Sequence, residues 1–164
     1  MNRLRSSTVK ISALTTADRD RMYEVMSKYY EAISREQFDC DLDEKSAVIL
    51  LRDEKARMIQ GFSTLHRQEL KSGGSGAIGI FSGDTIIEKE FWGQKALGVE
   101  FLKYLWLEKI KNPLSPLYWF MISKGYKTYL LMANNFVEYY PRHEKETPAS
   151  IHELMNEFYS AKYA

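Results

Sequence analysis

Along residues 77–111 the apolar positions pass from strand-like to helical spacing. Ile78, Ile80, Phe81, Thr85, Ile86 and Ile87 have the composition of a strand, and Gly79 and Gly83 within it predict a bend or bulge. Phe101, Leu102, Leu105 and Trp106 then fall at i, i+1, i+4 and i+5, which closes one apolar stripe on a helix. Between them lies a turn of small residues containing Gly93, Ala96 and Gly98. A strand that turns through small residues into a helix start leaves first-turn N–H groups unpaired, where the helix dipole favours negative charge. Phosphate or pyrophosphate suits that geometry. The turn itself carries neither Gly-x-x-x-x-Gly-Lys-Ser/Thr nor Gly-x-Gly-x-x-Gly, so a nucleotide-hydrolysing or dinucleotide-binding domain is not expected.

The flanking chain predicts the other elements. Residues 8–14 alternate Val9, Ile11 and Ala13 with polar neighbours, as a half-buried strand does. Thr15, Thr16 and Asp18 offer an N-cap and a negative first turn to a helix whose Met22, Val25, Met26, Tyr29 and Tyr30 share one face. Residues 33–45 are polar and poorly periodic, a loop or short helix suited to act as a flap over a site. A strand at 47–52, a turn at 53–55 and a strand at 57–70 make a hairpin, followed by a flexible loop at 71–76 (KSGGSG). After the central helix, Asn112-Pro113 is a stop, 117–122 (LYWFMI) a central strand, and Ser123 a cap for a helix carrying Tyr126, Tyr129, Leu130 and Ala133. Residues 136–140 form a possible further strand ended by Pro141. Thr147-Pro148 then opens a last helix with Ile151, Leu154, Met155, Phe158 and Tyr159 on one stripe. Strands and helices alternate only in the second half. The expected class is therefore α/β (α+β), a single mixed β-sheet flanked by helices.

Composition narrows the field without naming a function. The 164 residues are most simply one domain, 1–164, long enough for a real core. A formal net charge of +1 gives no global bias toward nucleic acid or an anionic membrane. No run approaches the length of a membrane span, and the opening MNRLRSSTVK lacks an apolar signal segment. With Cys40 as the single cysteine no intramolecular disulfide forms, which fits a reducing, cytoplasmic setting. Aromatic residues are abundant (11 Tyr, 8 Phe, 3 Trp), and a large core explains them more simply than a ligand channel or an interface.

The segment Trp92-Gly93-Gln94-Lys95-Ala96-Leu97-Gly98 resembles the pyrophosphate-cradling loop of the GNAT acyltransferase superfamily, where a Tyr-Arg-Gly-Lys-Gly-Ile-Gly-like sequence opens a helix. Trp92, Lys95, Ala96, Leu97 and Gly98 stand as counterparts of five positions, while the loop's arginine falls on Gly93 and one glycine on Gln94. Element order over residues 8–136 is also similar, including the LYWFMI strand and the tyrosine-bearing helix after it. The chain departs at its end, where the family usually has two strands and this sequence offers at most one and then a helix. The resemblance implies a GNAT-like acyl-CoA N-acyltransferase fold with an atypical C-terminal helix. It also implies direct transfer of an acyl group from acetyl-CoA, a longer acyl-CoA or an acyl carrier protein to an amine or hydroxyl. The acceptor is a small molecule or a protein. Backbone groups of Gly93, Gln94, Lys95, Ala96, Leu97 and Gly98 are the implied cradle, with Lys95 adding charge.

Transfer to an amine needs a base, because an ammonium at neutral pH is no nucleophile. Glu88, near the end of the central strand where such a cleft opens, is one candidate, with Glu90 behind it. His66 on the hairpin strand is another, its ordinary pKa suiting the task. Each has a plainer reading, since strand-end glutamates are usually solvated and a lone strand histidine is usually structural. By analogy Tyr129, on a face shared with Tyr126, protonates the departing thiolate; a tyrosine stripe is more often core. His143 and His152 read as surface residues and Cys40 as an inert thiol, and no metal-ligand spacing links them, so no metal is expected. The 33–45 segment and the aromatic residues could line a hydrophobic tunnel favouring longer acyl groups. Two other readings stay open. One is a non-catalytic protein of this fold that binds an acyl-CoA, a lipid or a protein partner. The other is an interaction domain whose last helix docks on another subunit, a homodimer included, through Ile151, Leu154 and Phe158.

Overall fold

In the computed structural model, which describes residues 3–72, 76–123 and 125–163, the chain forms five strands and five α-helices. In order they are β1 (Leu4–Lys10), α1 (Thr16–Ser27), α2 (Arg35–Asp43), β2 (Ala47–Asp53), β3 (Ile59–Leu70), β4 (Ala77–Ile87), α3 (Ala96–Lys111), β5 (Leu117–Met121), α4 (Tyr126–Asn135) and α5 (Ala149–Tyr163). The strands make one mixed sheet in the order β1-β2-β3-β4-β5, flanked by helices as the sequence pattern predicts. By contact density the chain divides into two compact units, Met1–Arg67 with Ile80–Pro113 and Gln68–Gly79 with Leu114–Ala164, so that β3 and β4 run through both. Residues 73–75 of the predicted KSGGSG loop lie outside the described residues.

In the first unit β2 is the centre. Its run AVILL is buried throughout because both faces are covered, Val48 and Leu50 facing one hydrophobic cluster and Ala47, Ile49 and Leu51 the other. β1 pairs with it antiparallel from Leu4↔Asp53 to Lys10↔Ala47, and β3 pairs on its other side, with a register irregularity between Leu51 and Arg52. The first strand therefore starts at Leu4, not at residue 8 as the alternation suggests, and Ile11–Ala13 is a 3₁₀ turn. Buried Leu4 and the ladder to β2 decide this, and neither is a local signal.

Helix α1 begins as predicted. The Thr15 hydroxyl accepts from the Asp18 N–H at 3.1 Å and the Asp18 carboxylate accepts from the Thr15 N–H at 3.2 Å, a closed capping box. Its Met22, Val25 and Met26 meet Phe38 and Leu42 of α2 in one buried cluster. Of the two readings for residues 33–45 the short helix holds. Ser34 caps it through the Gln37 N–H at 3.0 Å, and Phe38 and Leu42, one turn apart, anchor it in the core.

Helix α3 departs most from the periodic pattern. Phe101 is half-buried, packed with Ala96, Leu97 and Tyr104 on the Leu4, Ile49 and Leu51 side of the sheet, but Leu102 and Trp106 face solvent. The most buried side chains of the helix are two glutamates. Glu100 accepts from the Thr8 N–H at 3.1 Å and the Thr8 hydroxyl at 3.0 Å. Glu108 accepts from Arg67 Nε at 3.0 Å and from Lys111 Nζ at 2.8 Å. These partners satisfy carboxylates that would otherwise be costly to bury. Tyr104, between them on the same face, has its pKa pushed up to about 12 by burial and by the charge of Glu108.

In the second unit the chain's own sheet covers the stripe of α5. Leu154 and Phe158 are buried, Phe158 stacks on Phe120 of β5 at 4.1 Å, and the Tyr159 hydroxyl donates to the Met121 carbonyl at 3.1 Å. The surface imagined for subunit docking is thus occupied within the chain. Gly79 of β4 makes the stack possible, because a Cβ there would meet the Phe158 ring at 2.9 Å and the Phe120 ring at 3.0 Å. Gly125, not Ser123, is the N-cap of α4, and the Ser123 hydroxyl instead donates to the Gly125 carbonyl at 2.6 Å. Residues 136–140 are not a strand. Phe136 packs on Trp119 and Tyr139 on Tyr129, so their aromatic side chains find ring partners without a ladder.

Candidate functional site

β4 ends at Ile87 and the chain turns through a short 3₁₀ segment, Lys89–Phe91, into Ala96 at the start of α3. Buried Phe91 anchors the turn from below, and the Trp92 indole N–H donates back to the Ile87 carbonyl at 2.7 Å. Gly93 follows at φ 84°, the left-handed region where a side chain is strained. This is the position on which the loop's arginine falls in the sequence comparison, so the backbone here requires what the sequence supplies. Gln94 turns toward the sheet, its Oε1 accepting from the Leu4 N–H at 2.9 Å, and so braces the turn against β1.

Lys95 is the N-cap of α3 and no side chain caps the helix. The N–H groups of Ala96, Leu97 and Gly98 are the helix's open donors, and around Gly98 no atom lies within 4 Å of where a Cβ would stand. The helix start opens on a surface cavity of about 670 Å³ whose lining includes Arg3, Arg5, Gln94, Lys95 and Ala96. One of these cations is already paired, Arg5 with Glu54 at 2.7 Å. The positive end of the helix dipole and this cationic fringe suit an anion.

Glu88 stands one residue beyond β4 and is nearly buried. Its N–H donates to the Gln60 carbonyl at 2.8 Å, which fixes it across from β3. Its carboxylate accepts from the Lys28 ammonium and from the Tyr29 hydroxyl at 2.9 Å, with Arg21 at 3.7 Å. Burial raises the pKa of this carboxyl, but the hydrogen bonds from Lys28 and Tyr29 and the charges of Lys28 and Arg21 outweigh it, so the net direction is down. The same neighbourhood raises the Tyr29 pKa, through burial and then through Glu88. Glu88 and Glu90 line a cavity of about 450 Å³ with Arg21, Lys28 and Gln60. A second cavity of about 500 Å³ lies between Tyr29, Tyr30, Ile87, Trp92 and Gly93. Glu88 and the 93–98 turn are therefore brought to one end of β4.

His66 is not brought there. It lies six residues along β3 from Gln60, about 20 Å at the rise of a strand, with Nδ1 3.0 Å from the Glu44 carbonyl. Tyr129 belongs to the second unit, where its hydroxyl donates to the Pro141 carbonyl at 3.1 Å. Lys28, Tyr29 and Arg21 are partners of Glu88 that the sequence did not reveal. Arg21 lies on α1 and Lys28 and Tyr29 at and just past its C-terminus, about sixty residues before Glu88, so no local spacing links them; the Tyr29–Tyr30 pair beyond the helix was the trace in the sequence. Cys40 is exposed, and among the described residues no cluster of three or more His, Cys, Asp or Glu side chains could hold a metal ion. Among the same residues no helix is long and apolar enough to cross a membrane.

No protein-family model and no curated protein matches the chain by sequence. Solved structures do match by shape. An aminoglycoside acetyltransferase from an uncultured soil metagenomic sample aligns at TM-score 0.59 and 14% identity, over 88% of this chain and 96% of that one. A GNAT family acetyltransferase of Staphylococcus aureus aligns at TM-score 0.53 and 14% identity, over 90% and 100%. An aminoglycoside N-acetyltransferase solved in complex with CoA aligns at TM-score 0.51 and 8% identity, over 87% and 97%. The chain has the fold of the GNAT acetyltransferases, at an identity that speaks for the fold alone.

Proposed function

We propose that this protein is an acyltransferase that moves an acyl group from acyl-CoA to an amine or hydroxyl acceptor. The observation that carries the reading is the uncapped start of α3 at the end of β4, with a glycine at φ 84° and open space over Gly98, in a fold shared with a CoA-bound acetyltransferase. The N–H groups of residues 94–98 hold the pyrophosphate and Lys95 adds charge. The acceptor nitrogen, once deprotonated, attacks the thioester carbonyl, the C–S bond breaks, and the departing thiolate takes up a proton.

Glu88 is the proposed base. It is ionised at neutral pH, as a base must be, and it sits at the same strand end as the cradle. Tyr129 as the acid rests on the family resemblance. The same holds for an acyl carrier protein as donor and for acyl groups longer than acetyl.

A second reading has one observation in its favour. Lys28 and Tyr29 engage Glu88 and its pKa is lowered, which weakens it as a base and suits a protein that binds acyl-CoA without turnover. Calorimetric titration with CoA and acetyl-CoA tests the common part, and a ligand-induced rise in melting temperature corroborates it. Binding of both is expected, and binding of neither overturns both readings. Release of free thiol from acetyl-CoA with a panel of amines then separates enzyme from binder.

A further inference from the structure

We infer that Lys28 is itself an acyl acceptor, so that the protein acylates its own chain at the Nζ of that residue. The inference rests on the acyl-transfer reading of Glu88 and the 93–98 turn. Lys28 is the C-cap of α1, its side chain is half exposed, and its ammonium donates to the Glu88 carboxylate. A primary amine of the chain thus already stands where an acceptor must stand, in contact with the proposed base. Lys28 and Glu88 both line the cavity of about 450 Å³. The neighbouring cavity of about 500 Å³ has Gly93, the first residue of the proposed cradle, and Tyr29 in its walls, with Ile87 and Trp92. Such a lining suits the uncharged arm that joins a CoA pyrophosphate to its thioester. Tyr29 follows Lys28 in the chain and its hydroxyl donates to Glu88 at 2.9 Å, so a thioester reaching that wall arrives beside Lys28.

The step needs no reactant besides acyl-CoA. Glu88 takes a proton from the Lys28 ammonium, and the free amine adds to the thioester carbonyl. The C–S bond breaks with its electron pair on sulfur, which leaves an amide on Lys28 and free CoA. Of the two protons the nitrogen gives up, one goes to the thiolate and one, by way of Glu88, to solvent. The amide carries no charge, so the same step releases Glu88 from its cation. Lys111 supplies the contrast. Its ammonium donates to buried Glu108 at 2.8 Å, and its side chain is 65% exposed against 51% for Lys28. It stands at the far end of α3, about 22 Å from the helix start. Both lysines sit on a buried glutamate, and only Lys28 lies beside the proposed cradle.

The test incubates the whole protein with acetyl-CoA and follows each lysine by peptide mass spectrometry. A positioned base contributes about 10²–10⁴-fold, so Lys28 should gain an acetyl group about a hundredfold or more faster than Lys111. Its rate should level off at the acetyl-CoA concentration that titration gives for binding, and should not depend on protein concentration. Lys28→Arg keeps the ion pair but offers no free amine, so whole-protein incorporation should fall to the Lys111 background while the melting temperature holds. Glu88→Gln should slow labelling of Lys28 about tenfold or more. Merely chemical acylation would speed up there, because the amine loses its counter-ion. Labelling of Lys28 no faster than Lys111 overturns the inference, as does labelling undiminished in Glu88→Gln, linear in acetyl-CoA or dependent on protein concentration. Binding of CoA and turnover of added amines with Lys28 unlabelled overturns this inference alone; absence of CoA binding overturns the acyl-transfer reading with it.

Discussion

Gly98→Ala sets fold stability and ligand binding against each other at one atom. Gly98 is the third residue of α3, its φ lies outside the left-handed region, and a methyl group there meets nothing within 4 Å. Alanine in a helix is favoured over glycine by about 0.5–1 kcal/mol, so the free protein should become more stable. For a chain of this size that raises Tm by about 1–4 °C, read by calorimetry or circular dichroism. The same methyl projects into the space where the pyrophosphate is proposed to lie. Displacing it from one N–H forfeits a charge-assisted hydrogen bond of about 1.5–3 kcal/mol, a loss of about tenfold or more in CoA affinity. Gly93→Ala is the control. It too meets no atom within 4 Å, but at φ 84° it is strained and should lower stability by about 1–2 kcal/mol. A Gly98→Ala protein that is more stable and binds CoA as tightly as the parent refutes the placement of the phosphate. One that is less stable refutes the description of the helix start.

Three further outcomes follow from the packing. Glu88 has a lowered folded pKa, so its contribution to stability is present above the ordinary carboxylate range and is lost as pH falls through the folded value. Glu88→Gln should cost about 1–3 kcal/mol at pH 7, toward the low end because Lys28 is half exposed, and should flatten the acid limb of a stability–pH profile. An unchanged acid limb would count against the ion pair. Tyr104 is shifted the other way, to about 12, so the stability it supplies is intact below pH 10, the ordinary tyrosine value, and disappears as pH rises through 12. Absorbance titration at alkaline pH should show a late-ionising component near pH 12 that shrinks by one tyrosine in Tyr104→Phe. Gly79→Ala should destabilise by about 1–3 kcal/mol in denaturant unfolding, since two stacked rings stand 2.9–3.0 Å from the new methyl.

Local chemistry was enough to predict several elements. The Thr15–Asp18 capping box, the AVILL strand, the Ala77–Ile87 strand and the Thr147-Pro148 helix start depend on residues within a turn of one another, and all four are where the pattern puts them. The small-residue turn into α3 belongs with them, because a positive φ at Gly93 and an uncapped helix start are properties of the segment itself. The start of β1 was decided elsewhere. Its register is set by hydrogen bonds to β2, more than forty residues away, and the hydropathy of MNRLRSST gives no hint of it.

The face of α3 and the surroundings of Glu88 were fixed only by tertiary structure. Periodicity assumes that apolar side chains turn inward, and α3 breaks the assumption because Thr8 and Arg67 arrive from other strands to satisfy two inward glutamates. Glu88 likewise takes its charge state from Arg21 of α1 and from Lys28 and Tyr29 at its C-terminal end, brought beside it by folding. The sequence alone determined where the chain turns, caps and runs extended, because those preferences belong to neighbouring residues. Which helix face is buried and which carboxylate is held ionised depend on groups far apart in the chain, and only their meeting in three dimensions decides them.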